Sequence, residues 1–167
     1  MNDALLNRVI ARHITLLRYT IDLYHNIVQT TSQVDATTYR DGGTGWTVLE
    51  VLGHVREFNT VFHERAQRFI HEDHPTLVPY DHEQTVIERR YNEQDLHAMF
   101  EAFAVERVAL IDFFKARNPE DWARTATHPE WEVGVPMTLL DQLMQIGHHD
   151  VNHLEQITRI LAEQKVS

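Results

Sequence analysis

The chain has 167 residues, 43% of them hydrophobic and 9% aromatic, which is enough for one sizeable core and short for two; it contains no cysteine. Disulfide staples, thiolate metal sites and cysteine nucleophiles are thereby excluded, so any metal has to be held by nitrogen and oxygen. A net charge of -10, from 25 acidic against 15 basic residues, opposes the long-range attraction that nucleic acids and anionic membranes exert, and a small-molecule substrate fits better.

The first stretch, MNDALLNRVIARHITLLRYT, mixes Arg8, Arg12 and His13 with its apolar residues. It has no uninterrupted secretory core and no spanning segment, and a cytoplasmic location is expected. Leu6, Val9, Ile10, Leu16, Leu17, Leu23, Ile27 and Val28 recur at steps of three and four, predicting a helix over residues 3–30 with His13 on its inward stripe. TSQVDATTYRDGGTG breaks the period. Thr47 with Glu50 three residues on reads as a capping box, which accounts for Glu50, and Val48, Val51, Leu52, Val55, Phe58, Val61 and Phe62 carry a second helix to about residue 72.

HEDHPTLVPYDHEQ, with two prolines and no sustained period, predicts a long surface connection and a candidate lid. A third helix is expected from near Asn92, with Leu96, Met99, Phe100, Phe103, Leu110, Ile111 and Phe114 inward, ending before Asn118 and Pro119. The next loop holds Trp122, His128 and Trp131. Pro136 marks the start of a last helix carrying Leu139, Leu140, Leu143, Ile146, Ile157, Ile160 and Leu161. Strand signals are weak throughout. Four long amphipathic helices bury their stripes only against one another, so the reading is an all-α four-helix bundle, one domain over residues 1–167.

Within GHHDVNHLEQI, His149 and His153 stand four residues apart, about 40° apart on one helical face that also carries Ile146, Ile157 and Ile160. Two imidazoles pointing inward need a reason. His54 lies among Val51, Val55, Phe58 and Val61 on the buried stripe of the second helix, whereas His63, roughly 180° round, is expected to be exposed. A single inward histidine is ordinarily a hydrogen-bonded core residue. Three from two helices form a nitrogen cap suited to one divalent ion, Zn, Ni, Fe or Cu, with coordination positions left for water or substrate. Asp150 is turned about 100° from His149 and is a candidate to orient an imidazole, or else a solvated or helix-pairing carboxylate. His13 is a candidate to approach the open positions, or else a core histidine. His148 faces away from the pair; His71, His74, His82 and His128 fall in loops, where solvation is the expected state. No HExxH motif, glycine-rich phosphate loop, Gly-x-Ser-x-Gly elbow or carboxylate set for a two-metal bundle site is present.

GWTVLEVLGHVREF and HHDVNHLEQI, the latter with its His-Asp-x-x-His-x-x-Gln-Ile run, resemble the DinB/YfiT-like superfamily of metal-dependent enzymes. The resemblance implies an up-up-down-down bundle, a divalent metal on a His triad at His54, His149 and His153, and a homodimer. It also implies transfer of a small thiol, such as bacillithiol or mycothiol, or of water, to an electrophilic substrate; the loops at 71–91 and 118–135 of this chain are the expected entrance. The alternative is a non-catalytic bundle in which the metal is structural or the site vestigial.

Overall fold

A computed structural model describes residues 3–128 and 134–163. Helix α1 spans Asp3–Thr30, α2 Gln33–Thr38, α3 Val48–His71, α4 His82–Arg89, α5 Leu96–Lys115 and α6 Leu139–Glu163. The four long helices form the bundle: α1 and α3 each pack against both α5 and α6. The helix starts are those that the cap chemistry dictates. The Thr47 hydroxyl accepts from the Glu50 amide and the Glu50 carboxylate accepts from the Thr47 amide at α3. Asp95 accepts from the Ala98 amide at α5, and Thr138 and Asp141 repeat the reciprocal arrangement at α6.

The expected bundle is present, but the helix directions differ from up-up-down-down. Leu16 approaches Gly147 and Thr20 bonds Asp150, so α1 and α6 run parallel. His54 faces His153 while Phe62 faces His149, so α3 runs against α6. Asn59 bonds the Phe103 carbonyl and His63 meets Phe113 edge to face, so α5 runs with α3. The order is up, down, down, up. A parallel α3–α5 pair forces the intervening chain to return along a helix of about 36 Å. Residues 72–95 make that return, passing Arg65 at Val78, Phe58 at Tyr80 and Gly53 at Tyr91.

The connection predicted over residues 71–91 therefore contains α4, capped by Asp81, and the segment after α1 contains α2, capped by Ser32. Pro136 does not open α6. Met137–Thr138 first pair with Thr125–Ala126 in a two-stranded ribbon, and the helix begins three residues after the proline. Trp131 lies outside the described residues.

The core divides into two apolar clusters. One gathers Tyr24, Leu49, Leu52, Val55, Phe103 and Ile157, the other Leu17, Phe62, Phe69, Leu110, Phe114 and Ile146. Between them each long helix contributes a polar residue at matching height: Thr20, Asn59, Arg107 and Asp150, all at most 1% exposed. No described helix is long and apolar enough to cross a membrane.

Candidate metal centre

Antiparallel packing brings the buried stripe of α3 against that of α6 at the height of His54. One ligand atom from each of His54, His149 and His153 lies within 4.8 Å of the others, and His54 Nε2 is 3.1 Å from His149 Nε2. Two nitrogens at ordinary zinc–imidazole distances in a tetrahedral shell are about 3.3 Å apart, so the pair needs almost no rearrangement to share an ion. The donor set is also in the right charge state. Burial, together with the imidazoles of His149 and His153, pushes His54 down to about 2, and burial with His149 pushes His153 down to about 4. Both are neutral at pH 7, the form that coordinates a metal.

The nitrogens facing away from the cluster have carboxylate-linked surroundings. His153 Nδ1 lies 2.8 Å from Gln156 Oε1, and the Gln156 amide donates to Asp41, which Arg159 clamps. Gln156 thus accepts the Nδ1 hydrogen and turns Nε2 of His153 inward. His149 Nδ1 is buried without a hydrogen-bond partner; the Asp150 carboxylate stands 3.8 Å away.

Asp150 is fully buried and neither solvated nor aimed at the triad's centre. Arg107 grips both its oxygens, Thr20 donates to Oδ2 at 2.9 Å, and the Tyr24 hydroxyl donates to its main-chain carbonyl. Burial by itself would raise this carboxyl; the Arg107 guanidinium and the neighbouring His149 ring together outweigh it and hold it down to about 2.

The triad opens on a cavity of about 710 Å³. Trp46 and Phe58 wall it with aromatic rings 4.9 Å and 4.6 Å from the His54 ring, and the carboxylate of Glu83 at the rim accepts from Trp46 Nε1. His82 is not a free loop residue. It opens α4 with its ring 5.8 Å from that of His54. The cavity wall comes from residues 40–46 and 82–87, and no described residue of the 118–135 loop lines it. His128 of that loop is buried, against the expected solvation. His13 does not approach the triad: its Nδ1 bonds the Val9 carbonyl at 2.8 Å, and it lines a different cavity between α1 and α6. His63 is half-buried against Phe113, on the far side of α3 as expected but not fully exposed. His148 is exposed.

Asp41, Trp46, His82 and Glu83 carried no periodic signal, because loop residues reach the site only through the path of the crossover. Arg107 did carry one, as a charged residue four after Phe103 and three before Leu110 on an apolar stripe.

Among proteins of known sequence, the chain is 26% identical over 141 residues to a protein of Oceanobacillus iheyensis provisionally named a metal-dependent hydrolase, covering 83% of this chain and 77% of that one. Among solved structures it matches YfiT from Bacillus subtilis, which is described, by inference, as a metal-dependent hydrolase with an unusual four-helix bundle topology. That match has a TM-score of 0.83 at 20% identity over 93% of this chain and 87% of that one. It also matches a mycothiol-dependent maleylpyruvate isomerase, with a TM-score of 0.68 at 15% identity over 92% and 68% of the two chains. These likenesses establish the fold. The family model of the DinB superfamily matches residues 16–157, most of the chain and all three inward histidines, and the protein belongs to that superfamily.

Proposed function

We propose that this protein is a metal-dependent enzyme that holds one divalent ion, Zn, Ni or Fe, on His54, His149 and His153 and directs a small thiol or water at an electrophilic small molecule. The observation that carries the reading is the convergence of three imidazole nitrogens, from the buried His54 and the half-buried His149 and His153, within 4.8 Å at the floor of a 710 Å³ cavity. Among the described residues the cluster has three members, which leaves positions for an exchangeable ligand, as in catalytic and not structural sites. A divalent ion in such a nitrogen set acts as a Lewis acid, lowering the pKa of a coordinated water or thiol so that a nucleophile exists near neutral pH.

The protein's own part is binding and exclusion. Trp46, Phe58 and Val86 offer apolar surface to the carbon skeleton of a substrate, and Gln156 keeps Nε2 of His153 turned inward. Glu83 and His82 present polar groups at the rim, where α4 covers the cavity. The mycothiol-dependent structural relative supports the thiol version, and the two hydrolase descriptions support water.

The test is elemental mass spectrometry on protein purified without chelator or nickel resin, comparing wild type with His149→Ala/His153→Ala, followed by screening the loaded protein against electrophiles with and without thiols. About one equivalent of metal, lost in the double variant, with turnover above buffer, supports the reading. Persistent absence of metal after reconstitution refutes the site. A loaded protein with no turnover leaves the structural-metal alternative.

A further inference from the structure

Thr20, Asn59, Arg107 and Asp150 cross the bundle as one connected layer. Arg107 of α5 donates through Nε to Asn59 of α3 at 2.6 Å and through its other two nitrogens to Asp150 of α6, which also receives the Thr20 hydroxyl of α1. Arg107 and Asp150 are both 0% exposed. Such a layer, with apolar clusters on both sides, is an expensive way to hold four helices together, because desolvating two charges offsets most of what their attraction returns.

Its position explains it. Asn59 is five residues, about 7.5 Å, from His54 on α3, and Asp150 adjoins His149 on α6, so the chain Asn59–Arg107–Asp150 joins the two helices that carry the triad just below it, level with His149. Sliding α6 by one residue along α3 would move His149 about 1.5 Å and pull Asp150 by the same distance out of the Arg107 fork, which Asn59 of α3 holds from its other side. The buried Nδ1 of His149, which has no hydrogen-bond partner, completes the picture. When Nε2 serves as a ligand the ring hydrogen sits on Nδ1, and the nearest carboxylate oxygen is Asp150 Oδ1 at 3.8 Å. A small ring rotation closes that gap.

Resting on the metal reading above, we infer that Arg107 and Asp150 are positioning residues for the metal site: Asp150 accepts the Nδ1 hydrogen of the metal-bearing His149, and Arg107 fixes Asp150 and the register of α6 against α3. The layer therefore serves metal affinity more than it serves stability.

The test measures the zinc Kd by competition with a chromophoric chelator, alongside metal-free thermal melts, for wild type, Arg107→Met/Asp150→Leu and Tyr24→Phe. Replacing both charges with apolar residues of similar bulk removes the layer without leaving a lone buried charge. The inference expects a folded double variant whose zinc Kd rises 10- to 100-fold. Tyr24→Phe, which loses only the bond to the Asp150 carbonyl, should melt lower with its Kd unchanged. A folded double variant with a Kd within twofold of wild type overturns the inference, as does an equal loss of affinity in Tyr24→Phe, which would mean general loosening. If the double variant does not fold, Arg107→Lys decides. Lysine keeps the charge but not the fork, so a several-fold weaker Kd supports positioning and an unchanged one overturns it. Failure of the wild type to take up zinc at all refutes the metal reading, and this inference with it.

Discussion

The metal-free protein should lose stability between pH 6.5 and 5 because its buried imidazoles cannot take up protons. In the unfolded chain His54 and His153 titrate near 6.5; in the folded protein burial and mutual repulsion hold them at about 2 and about 4. Across this window the unfolded state binds protons that the native state refuses, so the stabilisation is complete above 6.5 and falls as pH drops. Each unit costs about 1.4 kcal/mol per imidazole. Lowering pH to 5 therefore removes roughly 3 to 4 kcal/mol from the two together, allowing for the partial exposure of His153. That is a large share of the 5–15 kcal/mol typical of a domain. Asp150 does not confuse the measurement, because a carboxyl lowered from 3.8 to about 2 withdraws its contribution only below about pH 4. Urea unfolding in chelator at pH 7.5 and 5.0 should show this drop in wild type and a much smaller one in His54→Gln/His153→Gln. Equal drops in the two proteins would refute the argument, since the pH dependence would then originate elsewhere. Excess zinc should steepen the wild-type dependence further, as it binds the neutral imidazoles.

Three further outcomes are expected. Gly53→Ala should cost about 1–3 kcal/mol in a thermal or urea melt, because a β-carbon there would sit 2.5 Å from the buried Tyr91 ring, whose neighbouring residues anchor the crossover. Gln156→Leu should weaken zinc binding about tenfold in chelator competition while changing metal-free stability little, since it removes the acceptor at His153 Nδ1. Thr47→Val should lower stability by about 1 to 2 kcal/mol, through loss of the capping-box hydroxyl that also meets Asn92 at 2.6 Å.

The extents of α1 and α3 are legible because periodicity and caps are local, and both end within a residue of expectation; α5 and α6 begin three to four residues later than expected, at Leu96 and Leu139, and the three histidines are legible because they share helical faces with Val, Ile and Phe. The relative directions are not. They depend on where residues 72–95 travel, and a segment containing Pro75 and Pro79 carries no record of its route. The same route decides the cavity, because it carries His82 and Glu83 back to Trp46, whereas residues 118–128 lie past the far end of α5. The short helix α4 escaped notice because eight residues with Val86 and Ile87 as their apolar side chains cannot establish a period.

The polar layer is the more instructive case, because the sequence reading leaves Asp150 without a partner and passes over Arg107 although the signal for both is present. Thr20, Asn59, Arg107 and Asp150 each occupy a stripe position, flanked three or four residues away by buried apolar side chains such as Leu17, Val55, Phe103 and Ile146. A charged residue on an inward stripe predicts a partner of opposite charge on another inward stripe, and in this chain Arg107 and Asp150 satisfy each other. Such a pair adds little stability over apolar packing, yet removing one member strands a buried charge at a cost of about 3–5 kcal/mol. A core that accepts this arrangement beside His149 gains a fixed register between α3 and α6. Register is what three imidazoles converging on one point require, and apolar side chains that slide past one another cannot supply it.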